Sequence, residues 1–590
     1  MTDTIPEIGW QAPKMSAVAS ELIKRNIYPA MRHRLTPLLW LLLASACARP
    51  AAQQPYDIVI TGGSVLNGDG TPAVQTDVGI RGGRIATIGD LRAAVATRRI
   101  DASGLTVAPG FIDMHNHSDY TILVEPKAES MIRQGVTTMV LGESRSAGPI
   151  KPGSDEARAR ADGVTVDWTT LGGYFAKLER QHMSPNIASY VGEEQVWTYV
   201  KGYGQSPATP QELDEMKRLI AQAMEDGAMG LSTALLQPPS SFATTANLIE
   251  LAKTAKQYRG IYSSHIRDEG EGVFRAIDEA IQVGKGAGIP VDIIHMKIAH
   301  KKLWGRANEI IAMVQKARDE GYDIRANVYP YTAGQNNLSS IVPPWAHDGG
   351  REKMLARLKD PSARKRMREE VMNGLPNWYN HYLATGEGWA GMILVSLRHE
   401  RNKPFQGKRM SELIAARGGH PADVLFDVLL EEGGSVPTVF FHHSEPDMQL
   451  IMKQPWTSIG SDGSAVSPDG PTGRTHPHPR YYGTFPRVLG RYARELKVIT
   501  LSEAVKKMTS MNAEKIGITD RGRLKEGLAA DVTIFDQDRV MDRATFEQPH
   551  KFPIGIKYVI VNGTVTVDNE QHTGALAGQV IYGPAKRAAK

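Results

Sequence analysis

Short apolar runs with β-type residues alternate with amphipathic helical segments through the middle of this 590-residue chain. Eight such runs predict strands, at residues 110–114, 137–141, 188–191, 230–233, 261–264, 291–294, 324–328 and 456–460. Segments such as 210–225 and 245–258 have the length and periodicity of helices that connect them. Because strands that alternate with helices form parallel sheets, and eight of them can close into a barrel, the sequence predicts an α/β fold, a (β/α)₈ barrel of the TIM type.

The two ends of the chain have a different pattern. Short β-type runs separated by Gly and Asn turns occur near both ends, at 56–61, 78–80, 84–88, 532–535 and 558–561. They predict one small β-sandwich domain, built from residues 55–108 and 513–590, with the barrel at 109–512. A charged, helical stretch at about 344–407 is longer than an ordinary loop of such a barrel. We therefore expect a helical insertion over the mouth of the barrel.

Residues 1–54 have the features of an export signal and a linker. Two arginines precede an apolar run at 38–43, three small residues follow, and Cys47 comes next. The run is too short to span a bilayer, and its end resembles a bacterial lipoprotein signal, in which Cys47 is lipidated. The alternative is a plain signal peptide cut after Ala46 or Ala52. Either reading predicts an exported protein, in the periplasm or anchored to a membrane through Cys47.

The charge balance argues against a nucleic-acid partner. The formal net charge is +5, and the first 54 residues, with six basic and three acidic side chains, carry more than half of it. The rest of the chain is too nearly neutral for a strongly basic face. Cys47 is the only cysteine, so nothing downstream of it can form an internal disulfide.

Candidate metal ligands follow five of the predicted strands. They are His115 and His117 after the first strand, Glu143 after the second, His265 after the fifth, His295 after the sixth and Asp462 after the eighth. Active sites of such barrels lie at the C-terminal strand ends, so these six side chains should converge. Imidazole nitrogens and carboxylate oxygens together suit Zn²⁺. Each residue alone has a commoner structural explanation, but their joint placement predicts a metal centre.

Several longer motifs carry a family resemblance. The segment APGFIDMHNHSDY resembles the opening of the amidohydrolase superfamily. The segments YSSHIRDEGEGV, IIHMKIAH, ANVYPYTAG, IGSDGSAVSPDG and HPHPRYYGTFPRVLGRY together resemble its N-acyl-D-amino-acid deacylase (D-aminoacylase) branch. The resemblance runs from about residue 56 to 563. The long HPHPR segment is specific, whereas the HxH and GSDG pieces occur in many relatives.

This resemblance implies hydrolysis of the amide bond of N-acyl amino acids of D configuration, with one or two Zn²⁺ ions, two being favoured. His115 and His117 with Asp462 would hold one ion. His265 and His295 would hold the other, and Glu143 would bridge them or complete the second site. Asp462 would act as general base and return the proton to the leaving amine.

The resemblance also indicates substrate contacts. The arginine of HPHPR is Arg480, whose guanidinium would bind the substrate carboxylate through two parallel hydrogen bonds. Lys297, two residues after His295, would share the inward face of the strand, and Tyr329 of the YPY segment would donate its hydroxyl. The alternatives are a surface ion pair for Arg480 and a purely structural role for the other two.

Two departures from the branch pattern stand out. A metal-binding cysteine is usual after the second strand in an Asn-Cys-Gly context, but here Gly142, Glu143 and Ser144 occupy the segment. We expect Glu143 rather than Ser144 to take over as ligand, which favours a two-metal centre. After the third strand, a usual Gly-His is Gly192-Glu193 here. We expect this change, close to the substrate, to alter acyl-group preference or pH dependence.

Two other functions fit parts of the pattern. A dipeptidase or a hydantoinase-like hydrolase of cyclic amides could use the same scaffold, and a non-catalytic interaction protein could keep the barrel without its metals. The expected partner is a small N-acyl amino acid, and the sequence leaves the oligomeric state open.

Overall fold

The structure is a computed structural model that describes residues 54–153 and 163–588. Both ends of this part contribute to one nine-stranded sheet. Its strands are Tyr56–Val65, Val74–Arg81, Arg84–Gly89, Ala96–Asp101 and Thr106–Pro109, then Val532–Phe535, Ile556–Val561, Thr564–Asp568 and Gln571–His572. Strand Thr106–Pro109 pairs antiparallel with Val532–Phe535 and so joins the two ends. Apolar side chains from both ends, such as Ile60 and Ile534, share one buried cluster. The predicted β-region from both chain ends is confirmed.

Eight parallel strands form the barrel between these ends. They are Phe111–Asp113, Val136–Leu141, Asn186–Ser189 continued by Val191–Gly192, Gly230–Ala234, Ile261–His265, Val291–Ile293, Ile324–Val328 and Thr457–Ile459. Each pairs in parallel with the next one along the chain. A parallel bridge between Asn116 and Gly463 brings the eighth strand back to the first. The predicted (β/α)₈ barrel is therefore confirmed.

Helices cover the outside of the barrel. The longer ones are Leu171–Gln181, Glu193–Lys201, Pro210–Asp226, Thr245–Gln257, Val273–Ala287, Ala307–Asp319, Glu445–Lys453 and Leu501–Met508. Shorter or irregular ones are Thr121–Val124, Glu129–Ile132, Arg480–Arg487 with its π-helical continuation Val488–Glu495, Ser510–Lys515 and Pro584–Ala588. Local signals explain their bounds: Thr209 and Glu212 form a capping box at the start of Pro210–Asp226, and Gly227 ends it in a left-handed conformation.

A unit with its own core lies between the seventh and eighth barrel strands. It contains strands Gly334–Asn337, Met392–Leu394 and Pro437–Phe440 and helices Arg351–Lys359, Pro361–Asn373, His381–Ala384, Met410–Arg417 and Pro421–Glu431. Its buried apolar cluster runs from Leu338 to Phe440. The insertion predicted at about 344–407 lies inside this larger unit, because strand Pro437–Phe440 pairs with both other strands and draws the flanking residues into the same sheet.

Some predictions are outside the reach of the structure. Cys47, the predicted lipidation site, lies outside the described residues. Across 54–153 and 163–588, we find no helix with both the length and the apolar character needed to cross a membrane. The proposed division of the chain into domains stays a prediction.

Candidate metal centre

The closure of the barrel places the first two histidines beside Asp462. The backbone N–H of Asp462 donates to the carbonyl of His115 at 2.8 Å, and the N–H of His117 donates to the carbonyl of Gly463 at 2.8 Å. As a result the Nε2 of His117 lies 3.0 Å from Oδ1 of Asp462, although the two residues are 345 positions apart. The first and eighth strands are neighbours in the barrel, which explains this meeting.

Asp113, which the sequence analysis missed, fastens these two strand ends together. Its side chain is fully buried. One carboxylate oxygen accepts from the N–H of Ser461 at 2.7 Å, and the other accepts from the Ser461 hydroxyl at 2.5 Å and from Asn116 Nδ2 at 2.9 Å. A buried carboxylate with this many donors holds both loops in one arrangement.

Glu143 lies between the two groups of histidines. Its Oε2 contacts Nε2 of His115 and is 3.0 Å from Nε2 of His117, while its Oε1 is 3.1 Å from Nδ1 of His265. The hydroxyl of Ser144 instead donates to Glu194 at 3.0 Å. Of the two residues that could replace the cysteine of related sequences, Glu143 is thus the one that faces the imidazoles.

His295 completes the other side of the cluster, together with two buried charged residues. Its Nδ1 lies 2.6 Å from Nζ of Lys297 and 3.0 Å from Oε1 of Glu269, and Lys297 and Glu269 form an ion pair. Burial and the charge of Lys297 lower the pKa of His295 to about 3, so the imidazole is neutral, as a metal ligand must be. Glu269 was not predicted. The only sequence signal for it is its position four residues after His265 in HIRDEG.

The cluster is built to hold positive charge. Burial opposes ionisation of Glu143, yet the charges of His115 and His117 outweigh burial and hold its pKa well below the usual range. Burial likewise disfavours a charged His117, but Glu143 and Asp462 raise the pKa of this imidazole well above its usual value. Two ionised carboxylates among four imidazoles therefore favour a cation in this place.

The donor atoms fit a metal ion. Three overlapping groups of residues offer ligand atoms that lie within 4.8 Å of one another: His115, His117 and Glu143; His115, His295 and Asp462; and Glu143, His265 and His295. In addition, the buried Nδ1 of His115 and Nε2 of His265 have no hydrogen-bond partner in the described part of the chain. Because the groups share residues, the donor set has room for two neighbouring ions. All six predicted residues are brought together, and their role as ligands stays a prediction.

A cavity of about 260 Å³ opens in front of the cluster. Lys297 and Tyr329 belong to its wall, as expected. Arg480 is not in the wall but one layer behind it, buried, with Nη1 2.8 Å from Oδ2 of Asp462 and its guanidinium carbon 4.9 Å from the centre of the Tyr329 ring. The structure thus places Arg480 at the site and in contact with Asp462. The binding of a substrate carboxylate by Arg480 stays a prediction.

Glu193 does not belong to the cavity wall, contrary to its expected place close to the substrate, and its expected effect on acyl-group preference or pH dependence stays a prediction. Its side chain is fully buried and accepts a hydrogen bond from the hydroxyl of Ser240 at 2.6 Å, whereas Glu194 is the residue in the cavity wall. The helix Glu193–Lys201 begins here, and successive side chains on a helix point in directions about 100° apart. The start of this helix therefore directs Glu193 inward and Glu194 to the cavity.

Glu193 makes the stability of the protein depend on pH. Burial raises the pKa of its carboxyl from 4.5 to about 8. The folded state keeps this proton at pH values where the unfolded state has already released it. The contribution of Glu193 to the free energy of unfolding is therefore complete below the unfolded pKa and is lost as pH rises through the folded pKa. We expect Glu193→Gln, which cannot ionise, to reduce the fall in melting temperature between about pH 5 and about pH 8.

Thermal unfolding of both proteins across this pH range measures the effect. Glu194→Gln, a substitution of the next residue, is the control and should leave the slope unchanged. Melting temperatures of the Glu193→Gln variant that run parallel to those of the unaltered protein would contradict the prediction.

Comparisons with known proteins agree with this geometry. The amidohydrolase family matches residues 98–567. D-aminoacylase of Alcaligenes xylosoxydans xylosoxydans is 34% identical over 534 residues, which cover 90% of this chain and 98% of the relative. A solved N-acyl-D-glutamate deacylase from Bordetella bronchiseptica, complexed with zinc and a phosphonate inhibitor that mimics the tetrahedral intermediate, has a TM-score of 0.76. It is 30% identical and covers 90% of this chain and all of its own.

A solved D-aminoacylase with a binuclear metal centre has a TM-score of 0.75 and 32% identity, with coverage of 90% of this chain and all of that one. Identities of 30% or more over nearly the full length of these proteins establish common descent. The chain belongs to the amidohydrolase family, on the branch that contains D-aminoacylase and N-acyl-D-glutamate deacylase.

Proposed function

We propose that this protein hydrolyses the amide bond of N-acyl-D-amino acids and releases a carboxylic acid and a free D-amino acid. One observation carries the proposal: four imidazoles and two carboxylates converge at the base of a cavity whose wall also holds Lys297 and Tyr329. The relatives named D-aminoacylase and N-acyl-D-glutamate deacylase support the acyl-amino-acid substrate and its D configuration.

The six residues of the cluster are proposed to hold one or two zinc ions, two being favoured. When bound, zinc would act as a Lewis acid toward the scissile carbonyl and acidify the attacking water. Asp462 belongs to this cluster. The pKa of its carboxyl is held below the usual range because Arg480 and His115 outweigh the effect of burial. Its carboxylate is therefore ionised at neutral pH. We assign to it the transfer of a proton from water to the leaving nitrogen.

Lys297, Tyr329 and Arg480 are proposed to orient the carboxylate of the substrate. The ammonium of Lys297 lies 5.6 Å from the centre of the Tyr329 ring, and both side chains belong to the cavity wall. Burial raises the pKa of Tyr329 well above its usual value, so its hydroxyl stays a hydrogen-bond donor. The Nε of Arg480 has no hydrogen-bond partner in the described residues, so this guanidinium has donor capacity beyond its contact with Asp462.

A substrate panel tests the proposed function. Zinc-loaded protein is assayed against N-acetyl D-amino acids, their L enantiomers, dipeptides and cyclic amides. We expect release of free D-amino acid and little turnover of the other classes. Preferred cleavage of dipeptides or of cyclic amides would replace this function by its nearest alternatives. Zinc-loaded protein that cleaves nothing would favour a non-catalytic role.

Replacing Arg480 with alanine tests the carboxylate assignment. Loss of a charged hydrogen bond to the substrate is expected to lower kcat/KM on the order of ten- to a hundredfold. Arg480→Lys should recover only part of the activity, because an ammonium cannot form the two-pronged contact of a guanidinium. Kinetics on each N-acetyl-D-amino acid and on its carboxamide measure the effect.

The amidated substrates separate the two possible roles of Arg480. A residue that binds the carboxylate matters less when the carboxylate is absent, so the loss should shrink for amides. Equal losses on free and amidated substrates would show that Arg480 acts only by supporting Asp462, with which it pairs.

We further propose that the protein is exported and reaches the periplasm or is anchored to a membrane through Cys47. The arginines, the apolar run and the small residues before Cys47 support this. The mature chain should begin at Cys47 or shortly after it, and mass analysis of its first peptide checks this. A Cys47→Ala variant should no longer partition into detergent. Native protein in the cytoplasm that still begins at Met1 would refute export.

A further inference from the structure

One part of the cavity wall beyond the metal centre is formed by four polar side chains that carry no charge. Gln237, Asn336, His381 and His442 belong to it. Gln237 Nε2 donates to Asn336 Oδ1 at 2.8 Å, so these two amides hold each other in place. Three of these four residues come from the chain between the seventh and eighth barrel strands, and Gln237 follows the fourth strand. Ala234 and Leu236 supply apolar surface to the same cavity, so these four polar side chains are what distinguishes this part of the wall.

His381 and His442 are the least satisfied polar groups of this wall. Each residue is only 3% exposed, and the two ring centres are 5.8 Å apart. The Nδ1 of each imidazole is buried and has no hydrogen-bond partner among the described residues. Buried polar groups in proteins are normally paired, and these rings line a cavity. Their free nitrogens are therefore suited to meet polar atoms of a bound molecule.

Both imidazoles are neutral. Burial lowers the pKa of His381 to about 3 and that of His442 well below its usual value. A neutral imidazole has one N–H donor and one acceptor nitrogen. A group that offers both an acceptor oxygen and an N–H donor is the natural complement to such a pair, and a carboxamide offers both.

The position of His442 identifies the part of the substrate that it meets. A Cβ atom built on Gly334 would lie 3.2 Å from His442 Cε1 and 3.2 Å from the hydroxyl of Tyr329, so these two side chains flank the same point. Tyr329 is assigned to the substrate carboxylate. The carboxylate and the amino-acid side chain leave the same α-carbon, whereas the acyl group lies across the scissile bond. His442 is therefore nearest to the amino-acid side chain.

The charges in the wall argue against an acidic side chain. Arg145 is paired with Glu194 at 2.6 Å, and Lys297 is paired with Glu269. Because Lys297 is already assigned to the α-carboxylate, a second carboxylate would have to displace Glu194 from Arg145, and its own desolvation would add to the cost.

We propose that His381 and His442 form a side-chain subsite that selects N-acyl-D-amino acids with a carboxamide side chain. This inference rests on the proposed deacylase function and adds the class of side chain to it. The subsite accepts the carboxamide through one imidazole N–H and one imidazole acceptor nitrogen. An aliphatic side chain leaves those nitrogens unpaired, and a carboxylate cannot donate to the acceptor nitrogen.

Three substrates of the same branched shape test the inference. N-acetyl-D-asparagine, N-acetyl-D-leucine and N-acetyl-D-aspartate differ in hydrogen bonding and charge much more than in size. We expect kcat/KM of zinc-loaded protein to be about tenfold or more higher for the asparagine substrate than for the other two. His381→Leu and His442→Leu should each lower the asparagine value about tenfold and leave the leucine value equal or higher.

Matched variants and a binding measurement guard against a structural explanation. His399→Leu replaces an exposed histidine of the same inserted unit and should leave all three values unchanged. His381→Gln keeps a hydrogen-bonding group and should retain part of the asparagine preference if the leucine variant does not fold. Calorimetric affinities for the products D-asparagine and D-leucine should follow the same order, which gives a readout independent of turnover.

The outcomes separate this inference from the function on which it rests. Cleavage of the D substrates without a preference for asparagine, or variants that lower all three values equally, would overturn the subsite and leave the deacylase function standing. Failure of zinc-loaded protein to cleave any of the three would overturn both.

Discussion

Asp462→Asn is expected to lower kcat by about a hundred- to ten-thousandfold, the range that positioned acid–base groups contribute. The carboxylate of Asp462 lies 3.0 Å from His117 and 2.8 Å from Arg480, and these neighbours keep it ionised. Asparagine has nearly the same size and can still accept a hydrogen bond. It cannot take a proton from water and return it to the leaving nitrogen, so the chemical step should fail while substrate binding is largely kept.

The measurement must separate loss of the base from loss of metal. We therefore expect kcat to fall far more than KM changes, in protein whose zinc content by elemental analysis equals that of the unaltered enzyme. Asp469→Asn, an exposed carboxylate in the same loop, is the matched control and should retain full activity. An Asp462→Asn enzyme that keeps its metal and turns over at a near-normal rate would exclude Asp462 as the base.

Prolonged chelation is expected to abolish activity, and added Zn²⁺ is expected to restore it. The six residues of the candidate metal centre form three groups of three, and the ligand atoms of each group lie within 4.8 Å of one another. The carboxylates of Glu143 and Asp462 favour a cation between the imidazoles. Metal that binds only the folded state also stabilises that state. The melting temperature should therefore fall on chelation and rise again with zinc, independently of any assay of turnover.

A ligand variant makes the metal prediction more specific. His265 belongs only to the group that it forms with Glu143 and His295, whereas His115 belongs to two of the three groups. His265→Ala should therefore reduce bound zinc from about two ions per chain to about one, while Glu143→Ala, which removes the residue between both halves, should reduce it further. Full activity in protein shown by elemental analysis to contain no metal would refute a metal-dependent reaction.

The sequence by itself determined the architecture and most of the candidate metal centre. Each barrel strand is a short local run, and the residue that follows it lies at the C-terminal end of the strand wherever that strand stands in the barrel. His115, His117, His265, His295 and Asp462 could therefore be placed at one end from local patterns alone. The only further assumption was that eight parallel strands close on themselves, and the bridge between Asn116 and Gly463 fulfils it.

Only the tertiary structure decided the directions and the partners of side chains outside the strands. Glu194 rather than Glu193 lines the cavity because a helix begins at Glu193, and the rotation of this helix cannot be read from residue spacing. Three further contacts arise where loops meet across the barrel. They are those of Glu269 with His295, of Asp113 with Ser461 and of Arg480 with Asp462. The polar wall with His381 and His442 comes from a unit packed on its own core. Local periodicity determines which face of an element a residue occupies, but such long-range contacts depend on how separately folded parts pack together.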